Sequence, residues 1–520
     1  MKLTRLLLLS LGLWSSASAA TLVYGAGGDP VSLESGNISD TNSAVVQNQI
    51  YDTLTKVKPG TTTLMPGLAL SWSADATRKV WTFTLRRGVK FHDGTPFNAD
   101  AVVYNVNRWW NPAAPERFAS QKTWDSWRLI FGDDKGTGSV LKSVAKKGDY
   151  QVVFTLNRPL SNFPDMIGVN FFGIASPAAV KKAGVNYGTP VGGAVGTGPY
   201  RLQAWVPGQQ VTLTANPSYW GSKAQSERLV VRTLKDPSAR LNELKAGTID
   251  FTCDLNPDHL PAIRNDRNLV AVLRPSFNVG FLSLNTRQEQ LKNVKVRQAI
   301  RLALNRRAIA DAFWGELGIS DDSFVPPPLA WANSKKVAFV QNDAAKAKQL
   351  LKEAGYAGGF KLDLWYMPVS RPYFPTPKPI AEAMAADLSA IGIKIELKTV
   401  DWAKYLEDRN KAPGFDMYMI GWTGQYGSPS NFYDSYYGPG SEKDSGFDNA
   451  QIQGLLSKAA SAKDRAQQAT FFSQVHDLTH AAAVRIPIIH SRPLCAARKT
   501  LSGWTPNPSN SEQFNVIRKK

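Results

Sequence analysis

Apolar residues recur along this chain with two periods, and the balance between them changes near residue 285. Before that point alternation dominates. WTFTL at 81–85 places Trp81, Phe83 and Leu85 on one face of a strand. TLVY at 21–24, VGTGPYRL at 195–202, VTLTANPSYWG at 211–221, LVVRTL at 229–234 and VGFLSLN at 279–285 read as further strands between Gly- and Pro-rich turns. The clear helix of the 185–285 region is DPSARLNELKAG, closed by Gly247.

Beyond 285, helices and strands take turns. VKVRQAIRLALNRRAIADAF carries Val296, Ile300 and Leu304 on one helical face, and NDAAKAKQLLKEAG runs from an Asp343 cap to Gly355. Strand KLDLWYM follows, then the proline-rich YMPVSRPYFPTPKP, then a helix on Ile380, Met384, Leu388 and Ile391 that stops at Gly392. Strand IKIELKTV completes a strand-loop-helix-strand unit. In α/β sheets ligands bind beyond the carboxyl ends of the strands, which is where this unit puts Arg371. Four of the nine residues from Arg371 to Pro379 are proline, so the backbone around that cation is stiff. A second strand, FDMYMIG, also ends in a loop, Trp422 to Pro429.

Catalytic machinery is not visible. The chain has five histidines and neither G-x-S-x-G nor H-E-x-x-H. His476 and His480 stand four apart on a helical stretch, but Asp477 occupies the place where a zinc protease needs Glu, so a packed helix is preferred to a metal site. His92-Asp93-Gly94 reads as a turn, with Asn98 capping the helix after it. Glycines 192 to 198 lack the Lys-Ser/Thr of a phosphate-binding loop.

The first twenty residues place Lys2 and Arg5 before an apolar run, Leu6 to Trp14, and end in Ala17-Ser18-Ala19, the pattern of a cleavable secretory leader. No cysteine stands at the cut, so a soluble protein without a lipid anchor is expected. Without the leader's two cations the net charge falls from +19 to +17, scattered over the chain. That suits a basic solvated surface better than a nucleic-acid site. Cys253 and Cys495 enter an oxidising compartment either as a disulfide or as two buried thiols.

In order along the chain, PGLALSW, WTFTLRRGVKFHDGTPFNADAVVYN, VGTGPYRL, NPSYWG, LNELKAGTIDF, VRQAIRLALNRRAI, VPPPLAW, DAAKAKQLLKEAGY and FDMYMIGWTG resemble solute-binding protein family 5. These are the extracellular binding components of ABC importers for peptides, nickel and related solutes. MPVSRPYFP and GWTGQYGSPSNFY are most similar to the periplasmic dipeptide-binding branch. The resemblance implies a two-lobed α/β periplasmic binding fold with hinged lobes. Lobe I would combine 21–285 with 492–520 and carry an extra subdomain at about 49–184; lobe II would be 286–491. The crossings would be VGFLSLN and VRIPIIHS. A non-enzymatic, monomeric protein with no cofactor is implied, delivering short peptides to an ABC permease in the periplasm.

The resemblance also assigns the site. Arg371 and Tyr373 belong to the M-P-x-x-R-P-Y motif whose arginine binds a peptide carboxylate, a task that suits the guanidinium fork. Gly421, Trp422 and Thr423 map onto the strand end that lines the ligand. The branch places Asp after G-W-T-G to meet the ligand ammonium, and here that position is Gln425; Ser428 stands where a second Asp is common. Asp29, beside Gly28 in the first glycine-rich loop, is the substitute carboxylate expected from the resemblance. Otherwise the ligand is an organic anion or modified peptide without a free amine, or a nickel complex.

Overall fold

The computed structural model describes residues 21–37, 40–118 and 124–520, so the expected leader lies outside the described residues. Thr21–Ala26 runs through a seven-stranded sheet between Arg228–Thr233 and Phe251–Leu255, parallel to both. Its apolar TLVYGA suits a strand covered on both faces. Leu494–Arg498 and Leu269–Leu273 extend the sheet on one side, and Gln210–Ala215 and Tyr200–Val206 on the other.

A six-stranded sheet holds most of the later chain. Its order is Gly318–Ile319, Arg485–Ser491, Asn278–Leu284, Met417–Thr423, Phe360–Trp365 and Ile393–Lys398. The chain passes from the first sheet to the second between Leu273 and Asn278, and back between Ser491 and Leu494. The Asn278 amide joins the two crossings, donating to Ser491 O and accepting from Ser491 N, both at 3.0 Å. Directly below, Cys253 and Cys495 on neighbouring strands form a disulfide, so the pairing is the first of the two alternatives.

His490 lies wholly buried at the same crossing. Its Nδ1 is 2.6 Å from Asn278 O, and its Nε2 is 3.0 Å from Ser323 O and 3.2 Å from the Asp321 carboxylate. Carbonyl oxygens only accept, so both ring nitrogens donate and the ring is an imidazolium. Burial pulls its pKa down, but the Asp321 charge and the hydrogen bonds outweigh it and hold the pKa above the usual value.

A third, four-stranded antiparallel sheet has the order Ala69–Ala74, Val80–Leu85, Gln151–Leu156, Leu141–Lys146. Trp81, Phe83 and Leu85 are buried as their alternation predicts, in an aromatic core with Phe154, Phe163 and Trp109. Helix Ala99–Trp110 is tied to the N-terminal loop by a bidentate Arg108–Glu34 pair at 3.0 and 2.9 Å. On its other side this unit meets the 430–468 region. Ser161 donates from N to Ala460 O (2.7 Å) and from Oγ to Ala459 O (3.0 Å), Asn162 donates to Ser430 Oγ (2.7 Å), and Arg78 donates to Lys463 O.

One expected helix is divided. The 294–313 segment forms Val294–Ala303 and Arg306–Trp314, because Leu304 turns extended and the Asn305 side chain caps the second helix by accepting from Ala308 N. Arg306 then enters the core against Asp322 at 2.9 Å, while Leu304 stays buried.

Candidate functional site

Two glycines facing each other across the six-stranded sheet make the seat of the site. Gly280 pairs with Gly421. A Cβ on Gly421 would stand 2.4 Å from the Tyr373 ring and 2.5 Å from Val279 O, and one on Gly280 would stand 2.8 Å from Tyr373 O and 3.1 Å from the Phe374 ring. The missing side chains leave a notch, and the loop after strand Phe360–Trp365 drops Tyr373 and Phe374 into it.

That seating fixes Arg371. Its N–H donates to Phe374 O and its C=O accepts from Phe374 N, at 3.0 and 2.9 Å, while the Trp314 indole donates to Pro372 O at 3.1 Å. The Arg371 guanidinium stays half-buried, lies 5.3 Å from the Trp402 ring centre and donates to its neighbour Ser370 O at 3.0 Å. No described carboxylate stands within ion-pair distance of it. Burial raises the pKa of the Tyr373 phenol well above the usual value, with Arg371 and Arg409 pulling the other way. The result is a stiffly mounted cation, its fork unanswered by any carboxylate among the described residues.

Strand Met417–Thr423 carries the next residues. Asn431 pins the strand end: its Oδ1 accepts from Gln425 N at 2.7 Å and from the Trp422 indole at 3.5 Å. Thr423 is exposed, and Gln425 Nε2 donates back to Thr423 O at 3.0 Å. Ser428 is buried and turned toward Ser430 Oγ at 2.9 Å.

The glycine-rich loop stands apart from these contacts. Gly28 leaves room for the Asn42 amide, which would be 2.6 Å from a Cβ. The Asp29 carboxylate accepts from Thr233 Oγ1 at 3.2 Å and from the Trp205 indole at 3.4 Å, two neutral donors. Arg371, Tyr373 and Gly421 thus form one packed group, and Trp422, Thr423 and Gln425 follow Gly421 along the chain. No described contact joins Gly28 or Asp29 to them.

A cavity of about 520 Å³ opens on the far side of Gln425. Of the eight predicted residues, Gln425 alone lines it. The walls come from distant parts of the chain: Asp52 and Lys56, Asp165, Trp220, and the segment from Gly503 to Val516. Asp52 accepts from Lys56 (2.5 Å), Trp220 (2.8 Å), Thr197 (2.9 Å), Tyr219 (3.0 Å) and Gln513 (3.1 Å). The Lys56 ammonium and Arg86 guanidinium lie 4.9 and 4.4 Å from the Trp220 ring centre. Sequence reasoning passed over this wall. NPSYWG contains Trp220, but nothing local distinguishes it from a packing residue.

His476 is engaged elsewhere. His476 Nδ1 accepts from Ser334 N at 3.0 Å and its Nε2 faces Asp322 O at 3.1 Å, so no lone pair remains for a metal. Burial holds the His480 pKa down at about 4.

Comparison with known proteins places this geometry. A profile of bacterial extracellular solute-binding proteins, family 5, matches residues 63–444. The chain is similar to the dipeptide-binding protein of Escherichia coli (strain K12), 32% identical over 97% of this chain and 95% of the relative. It is 31% identical to heme-binding protein A of Haemophilus influenzae, over 96% and 92% of the two chains. Among solved structures, HbpA2 from Haemophilus parasuis superposes with a TM-score of 0.88 at 30% identity, covering 96% of this chain and all of that one.

Proposed function

We propose that this chain, which belongs to the bacterial extracellular solute-binding proteins of family 5, is the substrate-binding component of an ABC importer that captures short peptides by closure of two lobes. The family consists of binding proteins rather than enzymes, and no helix among the described residues is long and apolar enough to cross a membrane. The boundary expected at 285 moves back to the crossing, because strand Asn278–Leu284 pairs within the six-stranded sheet: one lobe is assigned to 21–277 with 492–520 and the other to 278–491. The crossings at 273–278 and 491–494 serve as the hinge. The relative named for dipeptide binding supports the peptide reading.

The observation that carries this reading is the Arg371 fork, which meets no carboxylate among the described residues. A guanidinium so mounted on a notched sheet suits a carboxylate that arrives from outside. Trp422 and Thr423 extend the contact along the ligand, with Tyr373 and Gly421 holding the floor. Delivery to an ABC permease from the periplasm, after removal of the leader, completes the assignment.

Calorimetric titration with a dipeptide, its C-terminal amide and hemin tests it. The free acid should bind the wild type at least about 30-fold more tightly than the amide, from the 2–5 kcal/mol that truncating a buried charge pair costs. Arg371→Ala should abolish that preference. Equal binding of acid and amide, or binding of hemin alone, would overturn the peptide reading.

A further inference from the structure

We propose that Asp165 is the anionic group that receives the cationic amino end of the ligand, inside the cavity behind Gln425. The inference rests on the short-peptide reading and supplies the counter-charge that position 425 lacks.

Three carboxylates line the cavity: Asp52, Asp165 and Glu512. Two are already answered. Asp52 has Lys56 and four neutral donors, and Glu512 has Arg274 at 2.6 and 3.1 Å. Asp165, on the short helix Phe163–Ile167, accepts no hydrogen bond from any other described side chain, and no described cation lies within ion-pair distance of it. Arg465 acts on it only at longer range. A partly buried carboxylate left in this condition is costly, and a bound cation relieves the cost.

Gln425 supplies the neutral half of the pocket. Its Nε2 is used internally on Thr423 O, and its Oε1 receives no described hydrogen bond, so it offers an acceptor to the same cavity. An ammonium donates three hydrogen bonds and needs one charge. Asp165 brings the charge and Gln425 Oε1 a second acceptor. The carboxylate has in effect been carried by a different segment, some 260 residues earlier in the chain. A volume of about 520 Å³ is in the range of small-molecule sites, enough for the ligand's first residue with its side chain rather than the ammonium alone. Trp220 lines the same cavity, with Lys56 and Arg86 over its ring.

The same chemistry could come from a peptide's amino terminus or from a basic side chain. Titrations with Ala-Phe, N-acetyl-Ala-Phe and N-acetyl-Lys-Phe separate the two sources. In the wild type, tight binding of Ala-Phe with loss on acetylation assigns the amino terminus; recovery with N-acetyl-Lys-Phe assigns a side-chain ammonium. Asp165→Asn should weaken whichever amine binds by at least about 30-fold and remove the penalty of acetylation. Asp29→Asn should stay within about threefold of the wild type, and Asp165→Asn/Gln425→Asp should regain affinity, because it returns a carboxylate to the same cavity. Wild-type affinity in Asp165→Asn, or an acetylation penalty that persists there, overturns the role of Asp165 and leaves the peptide reading standing. If no peptide binds even the wild type, both fall.

Discussion

Replacing Gly421 by alanine tests whether the notch positions the arginine. The new methyl would meet Tyr373 ring carbons at 2.4 and 2.6 Å and Val279 O at 2.5 Å. The carbonyl belongs to a paired strand and cannot retreat far, so the Tyr373 loop must lift. Overpacking of this kind costs about 1–3 kcal/mol. We expect a loss near 2 kcal/mol, and because Arg371 and Phe374 are bridged, the guanidinium moves with the loop. Peptide affinity should fall by on the order of tenfold, since bidentate bonds to a carboxylate tolerate little displacement. Urea unfolding measures the first effect and calorimetry the second. Adding Tyr373→Ala should relieve part of the strain, with a coupling of about 1 kcal/mol, although the Val279 O contact remains. A Gly421→Ala protein that unfolds within about 0.5 kcal/mol of the wild type, the scatter of neutral surface changes, and binds peptide unchanged would refute the notch as the positioning device.

Three further outcomes are expected. Removing the disulfide with Cys253→Ala and Cys495→Ala should lower stability by about 5 kcal/mol on the chain-entropy account for a 242-residue separation, and an unchanged urea midpoint would contradict it. His490, its pKa raised in the fold, contributes stability that is complete below its unfolded pKa and disappears as pH rises through the folded value. The stability difference between wild type and His490→Gln should therefore shrink from pH 6 to pH 9, and a constant difference would count against the imidazolium. Burial lifts the Asp165 carboxyl to about 7, opposed by Arg465, with Tyr426 nearby in the same cavity. Affinity for an amine-bearing peptide should thus rise between pH 5.5 and 7.5 in the wild type and stay flat in Asp165→Asn.

Local chemistry made much of the fold legible. The Asp343 cap, the Gly247 and Gly392 stops and the 81–85 alternation all lie where period and capping place them. The break at Leu304 was hidden because the apolar face continues across it, although the Asn305 cap and the Arg306–Asp322 pair both act there. The site divides in the same way. Arg371 could be found from its loop, since a proline-rich turn at a strand end is a local signal. The Gly280–Gly421 pair could not, because its meaning comes from register between strands about 140 residues apart. Asp165 carries no local signal, and its meaning comes from meeting no described cation at ion-pair distance once the chain is folded.

Three of the hydrogen bonds that join the four-stranded unit to the 430–468 region have one trait in common. Ser161 and Arg78 donate to Ala459, Ala460 and Lys463 carbonyls, at and just beyond the end of helix Ala450–Ala460. Carbonyls at a helix end accept equally well from water. Breaking these bonds exchanges a few protein donors for solvent at little net cost. The hold between the two surfaces therefore falls to the buried Asn162–Ser430 bond and to the Tyr426 ring seated in the aromatic core.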